Sequence, residues 1–304
     1  MPSAGSLMMR DQFTNLITKR LAWIDEILDA NMDLPSLTYP EVFDVRDSTH
    51  AFENVLEMTG LGLFGEKSEG DTVSYDKILE GFHKKFTHKT YAKAMNISME
   101  AADDDIDGAI KDVMPPLGMS ARSSISVFAW NIINNGFGTT TTGDGVALFG
   151  NHTLRGGGNY SNLMGTSDLS VSTLETALNK FDDMVDERGL PVEISASKIV
   201  FPTNLRWIVH EILKSELRSD TANNATNAFS QVNLSPVMSK YLSGDDDWFL
   251  CAQPRGRGLI LYWRKEPYSD HTIDFDTGNL KTKMVFRVSA GAATWREWVG
   301  AQGA

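Results

Sequence analysis

Cysteine is almost missing from this sequence, and long apolar runs are missing altogether. Cys251 is the only cysteine, so the chain cannot form an internal disulfide, which fits an intracellular origin. The first residues lack the apolar core of a signal peptide, and no apolar run approaches the length of a membrane span. We therefore expect an intracellular protein that does not span a membrane.

Positive charge is also scarce. The 304 residues include 28 Lys and Arg against 40 Asp and Glu, a formal net charge of -12. This balance argues against a protein that coats DNA, because such a protein needs clustered basic residues against phosphate. Hydrophobic content of 41% and charged content of 22% are typical of a soluble globular chain. The length of 304 residues is enough for one large or two ordinary domains.

The clearest secondary-structure pattern lies between residues 86 and 137. Alternating side chains over 91–99 predict a strand. Helical spacing follows, and Pro115 and Pro116 interrupt it, so the sequence predicts a long helix with a kink. The apolar stripe after the kink consists of Leu117, Ala121, Ile125, Phe128 and Ile132. Asn134, Asn135 and Gly136 end the helix in the way that left-handed C-terminal positions usually do.

Two segments on the N-terminal side of this stretch have weaker patterns. Residues 7–32 are amphipathic, which fits either a helix packed on its own domain or an arm packed on a neighbour. Residues 35–82 combine scattered apolar residues with glycines and crowded charges. A segment of this length without a core pattern is usually a functional loop or an extended hairpin, and we expect two strands flanking a mobile tip.

The C-terminal half has α/β character. A Gly- and Thr-rich passage over 138–165 predicts a loop with defined turns. Ser172 and Glu175 then predict a capping box, and Gly189 and Pro191 are expected to stop that helix. Further strands are expected at 199–201, Trp248–Ala252, 259–263 and 281–289, with a helix over 205–213. Trp295 and Trp298 are expected to pack rather than to bind a ligand.

An acidic run in the middle of the chain resembles the start of a calcium-binding loop. Asp103, Asp105, Asp107 and Gly108 have the spacing of its first positions. The twelfth position, which must supply a bidentate carboxylate, is Met114, and acidic residues near a helix start explain the run without metal. We therefore predict no metal site.

The remaining motifs do not assemble into catalytic machinery. Asp276-Thr277-Gly278 is the tripeptide of aspartic proteases, but it occurs once, and the chemistry needs two carboxylates that share a proton. The same residues between two strands are also an ordinary turn. The glycines 156–158 fit no phosphate-binding fingerprint, Cys251 lies in an apolar strand, and His152 has no partner at ligand spacing. The sequence predicts no catalytic residue and no cofactor.

Four stretches together resemble a known family. Residues 86–105, 148–163, 174–205 and 216–229, in this order, are similar to the major capsid (head) proteins of tailed bacteriophages, and most similar to the major head subunits of Mu-like phages. The likeness covers most of the chain from about residue 80 onward.

The resemblance implies an α+β fold of the Hong Kong phage type. Its expected parts are an N-terminal arm (1–38), an extended hairpin or E-loop (39–84), a peripheral domain with a long spine helix (85–168), an axial domain (169–264) and a return to the peripheral domain (265–304). The interruption at Pro115 and Pro116 departs from an unbroken spine helix.

The resemblance also implies a function. We expect a structural protein, not an enzyme, that assembles as pentamers and hexamers into an icosahedral head enclosing double-stranded DNA without sequence-specific binding. A separate scaffold and protease and a portal are implied as partners, with room for a decoration protein. Assembly in the bacterial host cytoplasm would place the chain in the virion capsid. The expected assembly contacts are Phe64, Glu66, Lys67, Glu69, Asp71 and Lys77.

Two alternatives remain open at this point. An encapsulin-like nanocompartment would use the same fold for a shell around cargo protein. A homodimeric aspartic protease would use Asp276 from each of two chains.

Overall fold

The structure is a computed structural model, and it describes residues 37–58, 60–70, 72–73, 75–78, 80–98, 115–215, 229, 232–254, 256–274 and 276–303. The first seven strands are β1 (Asp44–Asp47), β2 (Phe52–Met58), β3 (Glu80–Thr87), β4 (Lys89–Ile97), β5 (Asn151–Thr153), β6 (Asn159–Ser161) and β7 (Leu163–Thr166). The others are β8 (Ala196–Pro202), β9 (Ser235–Ser239), β10 (Trp248–Ala252), β11 (Leu259–Ile273), β12 (Leu280–Ala292) and β13 (Trp298–Gln302). The α-helices are α1 (Pro115–Asn134), α2 (Val171–Asp182) and α3 (Arg206–Lys214).

The described residues fall into two compact units. The first contains described residues of 89–125 and 264–288, and the second contains those of 37–88, 126–263 and 289–303. The five-part division that the resemblance implies remains a prediction.

The first unit is built on an antiparallel strand pair. β4 pairs with β12 in a register that runs from Leu280 opposite Ile97 to Val288 opposite Lys89. Tyr91 stacks on Phe286 at 5.2 Å between ring centroids, a cross-strand aromatic contact of the kind that stabilises sheets. The predicted strand over 91–99 is therefore confirmed, with its described end at Ile97.

The second unit contains a five-stranded sheet in the order β7-β13-β10-β8-β9. β10 lies in its centre, antiparallel to β13 and to β8, and all five of its residues are buried. This burial explains the unbroken apolar run over Trp248–Ala252, because a strand covered on both faces needs no polar alternation. Trp130, Trp248 and Trp298 are the largest fully buried side chains among the described residues, and each contributes about 1.5–3 kcal/mol or more by leaving water.

Helix α1 confirms the apolar stripe after the two prolines. Pro115 and Pro116 are its first described residues. The helical pattern expected before them lies outside the described residues, as do the amphipathic 7–32 segment, the acidic run with Asp103, Asp105 and Asp107, and 216–228.

The reason given for Gly136 at the end of α1 is wrong. Gly136 is not among the glycines with positive φ. A Cβ at this position would lie 2.6 Å from Cε2 of Phe149 and 2.8 Å from the carbonyl oxygen of Ile133. Glycine is needed here because an aromatic ring occupies the space of a side chain, not because the backbone is left-handed.

The predicted ends of α2 are also corrected. Its N-cap is Ser170, whose hydroxyl accepts from the amide of Thr173 at 3.2 Å, while the Thr173 side chain accepts from the amide of Ser170 at 2.8 Å. The capping box is therefore Ser170 with Thr173 and not Ser172 with Glu175. The helix ends at Asp182, so Gly189 and Pro191 belong to a later turn and do not stop it.

The two last long strands extend beyond their predicted bounds. β11 was expected over 259–263 and runs to Ile273, and β12 was expected over 281–289 and runs to Ala292. The turn between them contains Asp276 and Gly278, the latter at φ 69°, and Asp276 is exposed. This is the ordinary turn that the sequence allowed for Asp276-Thr277-Gly278.

Candidate assembly site at the hairpin of β2 and β3

The second unit carries a hairpin of two antiparallel strands with a long connection. β2 and β3 pair from Phe52 opposite Thr87 to Met58 opposite Glu80, with an irregularity between Leu56 and Met58. A Cβ on Gly81 would lie 2.2 Å from the carbonyl oxygen of Glu57, so the strands approach closely enough to require glycine there. We call β2, β3 and residues 59–79 the hairpin, and the described residues among 60–78 its tip.

The base of the hairpin packs on the second unit through apolar side chains. Phe86 contacts Tyr262 edge-to-face at 5.3 Å between centroids, and Val55 packs against the same buried cluster. Lys84 Nζ donates to the carbonyl oxygen of Thr141 at 2.6 Å, and burial lowers the pKa of this amine. The guanidinium of Arg155 lies 4.3 Å from the centre of the Phe82 ring. The strands of the hairpin are thus attached to their own subunit.

The tip exposes large apolar side chains. Phe64 is 100% exposed, Tyr75 97% and Leu63 83%, and the other exposed ones are Leu61, Val73 and Ile78. Exposed apolar residues in such number within one short segment indicate a surface that another molecule covers. The described residues of the tip contain no helix or strand.

The expected assembly residues lie in this tip. Glu66, Lys67 and Glu69 are exposed there together with Phe64, and Lys77 is exposed at its end. Asp71 lies outside the described residues. Within the described part of the chain, no ion pair brings Glu66, Lys67 or Glu69 together, so their charges face solvent in the single subunit.

Two ion-pair groups at the hairpin were missed by sequence reasoning. Near the tip, Arg188 Nη1 lies 2.8 Å from Asp76 Oδ2. The pKa of the Asp76 carboxyl is lowered, most strongly by the hydrogen bond from the backbone amide of Gly62 and next by the hydrogen bond from Arg188. At the base, Arg296 contacts both Glu57 and Glu187 at 2.6 Å. Burial raises the pKa of the Glu57 carboxyl against the opposing effect of Arg296. No local sequence signal marks these partners, because they lie more than 100 residues apart in the chain.

The groups considered for chemistry are accounted for by packing. His152 Nδ1 lies 2.6 Å from Asp144 Oδ2, a contact that the sequence did not predict, and its ring stacks on Trp295 at 4.6 Å. Trp295 and Trp298 are buried, as predicted. Burial raises the pKa of the Cys251 thiol to about 12, which makes it a poor nucleophile.

The described residues contain neither a metal-binding cluster nor a membrane-spanning helix. In that part of the chain, no group of three or more His, Cys, Asp or Glu side chains is placed to hold a metal ion. Its helices are also too short or too polar for any of them to cross a membrane.

Similarity to solved structures identifies the fold. A structure from Microbacterium phage Oxtober96 is 11% identical, with 88% of this chain and 91% of that chain covered and a TM-score of 0.56. The capsid of Myoviridae phage XM1 is 13% identical, with 86% and 90% covered and a TM-score of 0.51. A virus-like particle from Pyrococcus furiosus is 8% identical, with 92% and 98% covered and a TM-score of 0.57. The fold is the α+β Hong Kong phage-type capsid fold expected from the sequence.

Sequence comparison then gives the family. The family model described as phage capsid protein matches residues 84–302, and the chain belongs to that family. A search of curated proteins found no match. The protein is therefore a structural component of a phage capsid shell, as the resemblance implied.

Proposed function

We propose that this chain is the major head subunit of a tailed phage, of the Mu-like kind, and that it forms the pentamers and hexamers of an icosahedral shell around double-stranded DNA. The observation that carries this proposal is the tip, whose large apolar side chains are exposed on a hairpin anchored at its base. In a shell, the tip lies across a neighbouring subunit and buries Phe64, Leu63 and Tyr75 there. Glu66, Lys67, Glu69, Asp71 and Lys77 then meet charges of that neighbour.

The same proposal includes the five-part domain division and the partners. Residues 39–84 act as the E-loop, α1 belongs to the spine helix, and 169–264 form the axial domain. A separate scaffold and protease, a portal and the packaged DNA are the partners, and assembly takes place in the host cytoplasm. The net charge of -12 supports an inner surface that does not hold DNA by counterion release.

The chain itself has no enzymatic activity in this proposal. Cys251 is buried with a raised pKa, and Asp276 is an exposed turn residue. The protease alternative is not favoured, because the family is one of structural capsid proteins.

A shell around cargo protein is the second candidate. The likeness to the virus-like particle from Pyrococcus furiosus, which covers 98% of that chain, favours it at the level of the fold. The family match favours the phage head. The contents of purified particles separate the two, since a head contains DNA and a nanocompartment contains a cargo protein.

Removal of the tip tests the proposed role of the hairpin. We expect a variant with residues 61–78 replaced by a short Gly-Ser turn to remain a soluble, folded subunit, because the core of the second unit does not depend on the tip. The variant should form no closed particles under conditions in which the unmodified chain forms them. Circular dichroism measures the fold, and sedimentation with electron microscopy measures assembly. Normal closed particles from the trimmed variant would show that the E-loop assignment is wrong.

A further inference from the structure

The ion pairs of Arg188 and Arg296 with the hairpin involve a single turn of the second unit. Residues 185–191 form this turn, which is closed by a bridge between Val185 and Pro191 and by the amide of Asp186 donating to the carbonyl oxygen of Leu190 at 2.8 Å. The Asp186 carboxylate accepts from the amides of Arg188 and Leu190 at 2.7 and 2.9 Å. Gly189 takes φ 81°, which favours glycine. The turn is therefore fixed by its own hydrogen bonds. We call it the 185–191 turn.

The base of the hairpin is joined to this turn through Arg296. Its Nη1 donates to Glu57 Oε1 of β2 and its Nη2 to Glu187 Oε1 of the turn, each at 2.6 Å, while its Nε donates to the carbonyl oxygen of Val185 at 2.9 Å. Glu187 Oε2 in addition accepts from the amide of Arg155 at 2.7 Å. The side chains of Arg296 and Glu187 are 7% and 5% exposed. Buried charges with this many hydrogen bonds hold one geometry.

The tip is joined to the same turn through Arg188. Its Nη1 donates to Asp76 Oδ2 at 2.8 Å and its Nη2 to the carbonyl oxygen of Lys77 at 2.5 Å. Asp76 in turn accepts from the amides of Gly62 and Lys77 at 2.7 and 2.8 Å. Asp76 thus joins the two sides of the tip through the amide of Gly62, and Arg188 binds Asp76 and Lys77.

We propose that the 185–191 turn is a seat for the hairpin, and that Arg188 and Arg296 are positioning residues that fix the direction in which the hairpin leaves its own subunit. This inference rests on the proposed function, since it assigns the seat a role in presenting the exposed tip to a neighbouring subunit. A hairpin already held in one direction loses less conformational freedom when it binds. Because every subunit of a closed shell makes the same contact, this reduction in the entropy cost of binding is repeated across the particle.

Arg188 is the better of the two arginines for a test. Removal of Arg296 would leave Glu57 and Glu187 buried without their counter-ion, so that variant is expected to unfold. The Arg188 side chain is partly exposed, and the turn that carries it is closed by backbone and Asp186 contacts that do not use the guanidinium. Arg188→Ala is therefore expected to fold.

The tested variants are Arg188→Ala, Asp76→Asn and the double variant that combines these two. Lys77→Ala is the matched control, because Arg188 contacts the backbone carbonyl of Lys77, which alanine retains. Hydrogen exchange is measured on the isolated full-length subunit at the amides of Gly62 and Lys77, and the concentration threshold for shell formation is measured separately. We expect Arg188→Ala to raise exchange and the threshold roughly twofold to fivefold. Lys77→Ala is a control for the exchange measurement only, since Lys77 is itself a proposed assembly contact, and it should leave exchange unchanged. The double variant should add little, since the two side chains act as one contact.

The outcomes distinguish the seat from the function on which it rests. Unchanged exchange in Arg188→Ala would overturn the seat, and so would faster exchange with an unchanged threshold, because the contact would then be structural only. A trimmed-tip variant that assembles normally would instead overturn the proposed function of the hairpin. Effects of Asp76→Asn and Arg188→Ala that add fully would also contradict the seat.

Discussion

At the scale of single residues, the ring of Phe149 packs closely against aromatic rings and against two glycines of the second unit. It lies 4.8 Å from Phe137 and 5.1 Å from Phe249, measured between ring centroids. Its edges meet the backbone at two glycines, Gly136 after α1 and Gly300 in β13, where an added Cβ would lie 2.6 Å from ring carbons. A ring enclosed in this way can move in no direction without losing contacts.

We expect Gly300→Ala to destabilise the subunit by about 1–3 kcal/mol, because the new methyl group overlaps the Phe149 ring and the surrounding aromatic rings leave it no space. The urea midpoint of tryptophan fluorescence measures the change. Gly138→Ala is the matched control: no atom lies within 4 Å of its added Cβ, so a change of no more than about 0.5 kcal/mol is expected. Equal midpoints for the two variants would contradict this packing account.

Asp144 and His152 form a second residue-scale feature that affects stability at low pH. Asp144 also accepts from the Thr142 hydroxyl and from the amide of Val146. Burial tends to raise the pKa of Asp144, but the hydrogen bonds and the charge of His152 outweigh it, so the pKa lies below the ordinary value of 3.8. A carboxyl with a lowered pKa stabilises the fold above its unfolded pKa, and this contribution is lost as the pH falls through the folded pKa.

Asp144→Asn should therefore lower the free energy of unfolding at pH 7 by about 1–2 kcal/mol, since a charge-assisted hydrogen bond to His152 is lost. Below about pH 4 the difference should shrink, because the unmodified carboxyl is itself being protonated. Chemical denaturation at a series of pH values measures both curves. A difference that stays constant from pH 7 to pH 3 would mean that Asp144 contributes through packing and not through charge.

At the scale of elements, the parts with regular periodicity could be predicted from sequence. The alternation over 91–99 and the stripe of α1 depend on burial that repeats with the period of the element. The apolar run of β10 depends instead on burial of both faces of the strand. The polar end of β11 was missed because residues 264–273 have no continuous apolar side. The cap of α2 was placed two residues late, because Ser170 and Ser172 both begin a plausible capping pattern. The reciprocal hydrogen bonds between Ser170 and Thr173 identify Ser170 as the cap.

The contacts of the hairpin could not be predicted in this way. Glu57 and Arg296 are separated by 239 residues, and Asp76 and Arg188 by 112. Charges at such distances are brought together only by the fold, and a single sequence contains no periodic signal for them. The sequence did place Phe64, Glu66, Lys67, Glu69 and Lys77 in an exposed connection, because glycine and charge without a core pattern are local properties.

At the scale of the whole molecule, the chain exposes a surface that we expect neighbouring subunits to cover. It belongs to the phage capsid protein family and has the fold of shell subunits. Among the described residues, its three most exposed large apolar side chains, Phe64, Tyr75 and Leu63, lie in the tip, and Arg188 contacts the tip through Asp76. The net charge of -12 is compatible with a shell that encloses DNA without binding it tightly.

Electron microscopy of the expressed full-length chain, alone and together with the proposed scaffold, tests the central claim most directly. We predict closed hollow shells in which this chain occupies pentamers and hexamers, with the hairpin of each subunit lying across its neighbour. Preparations that contain only single subunits or open aggregates, both with and without the scaffold, would contradict the account.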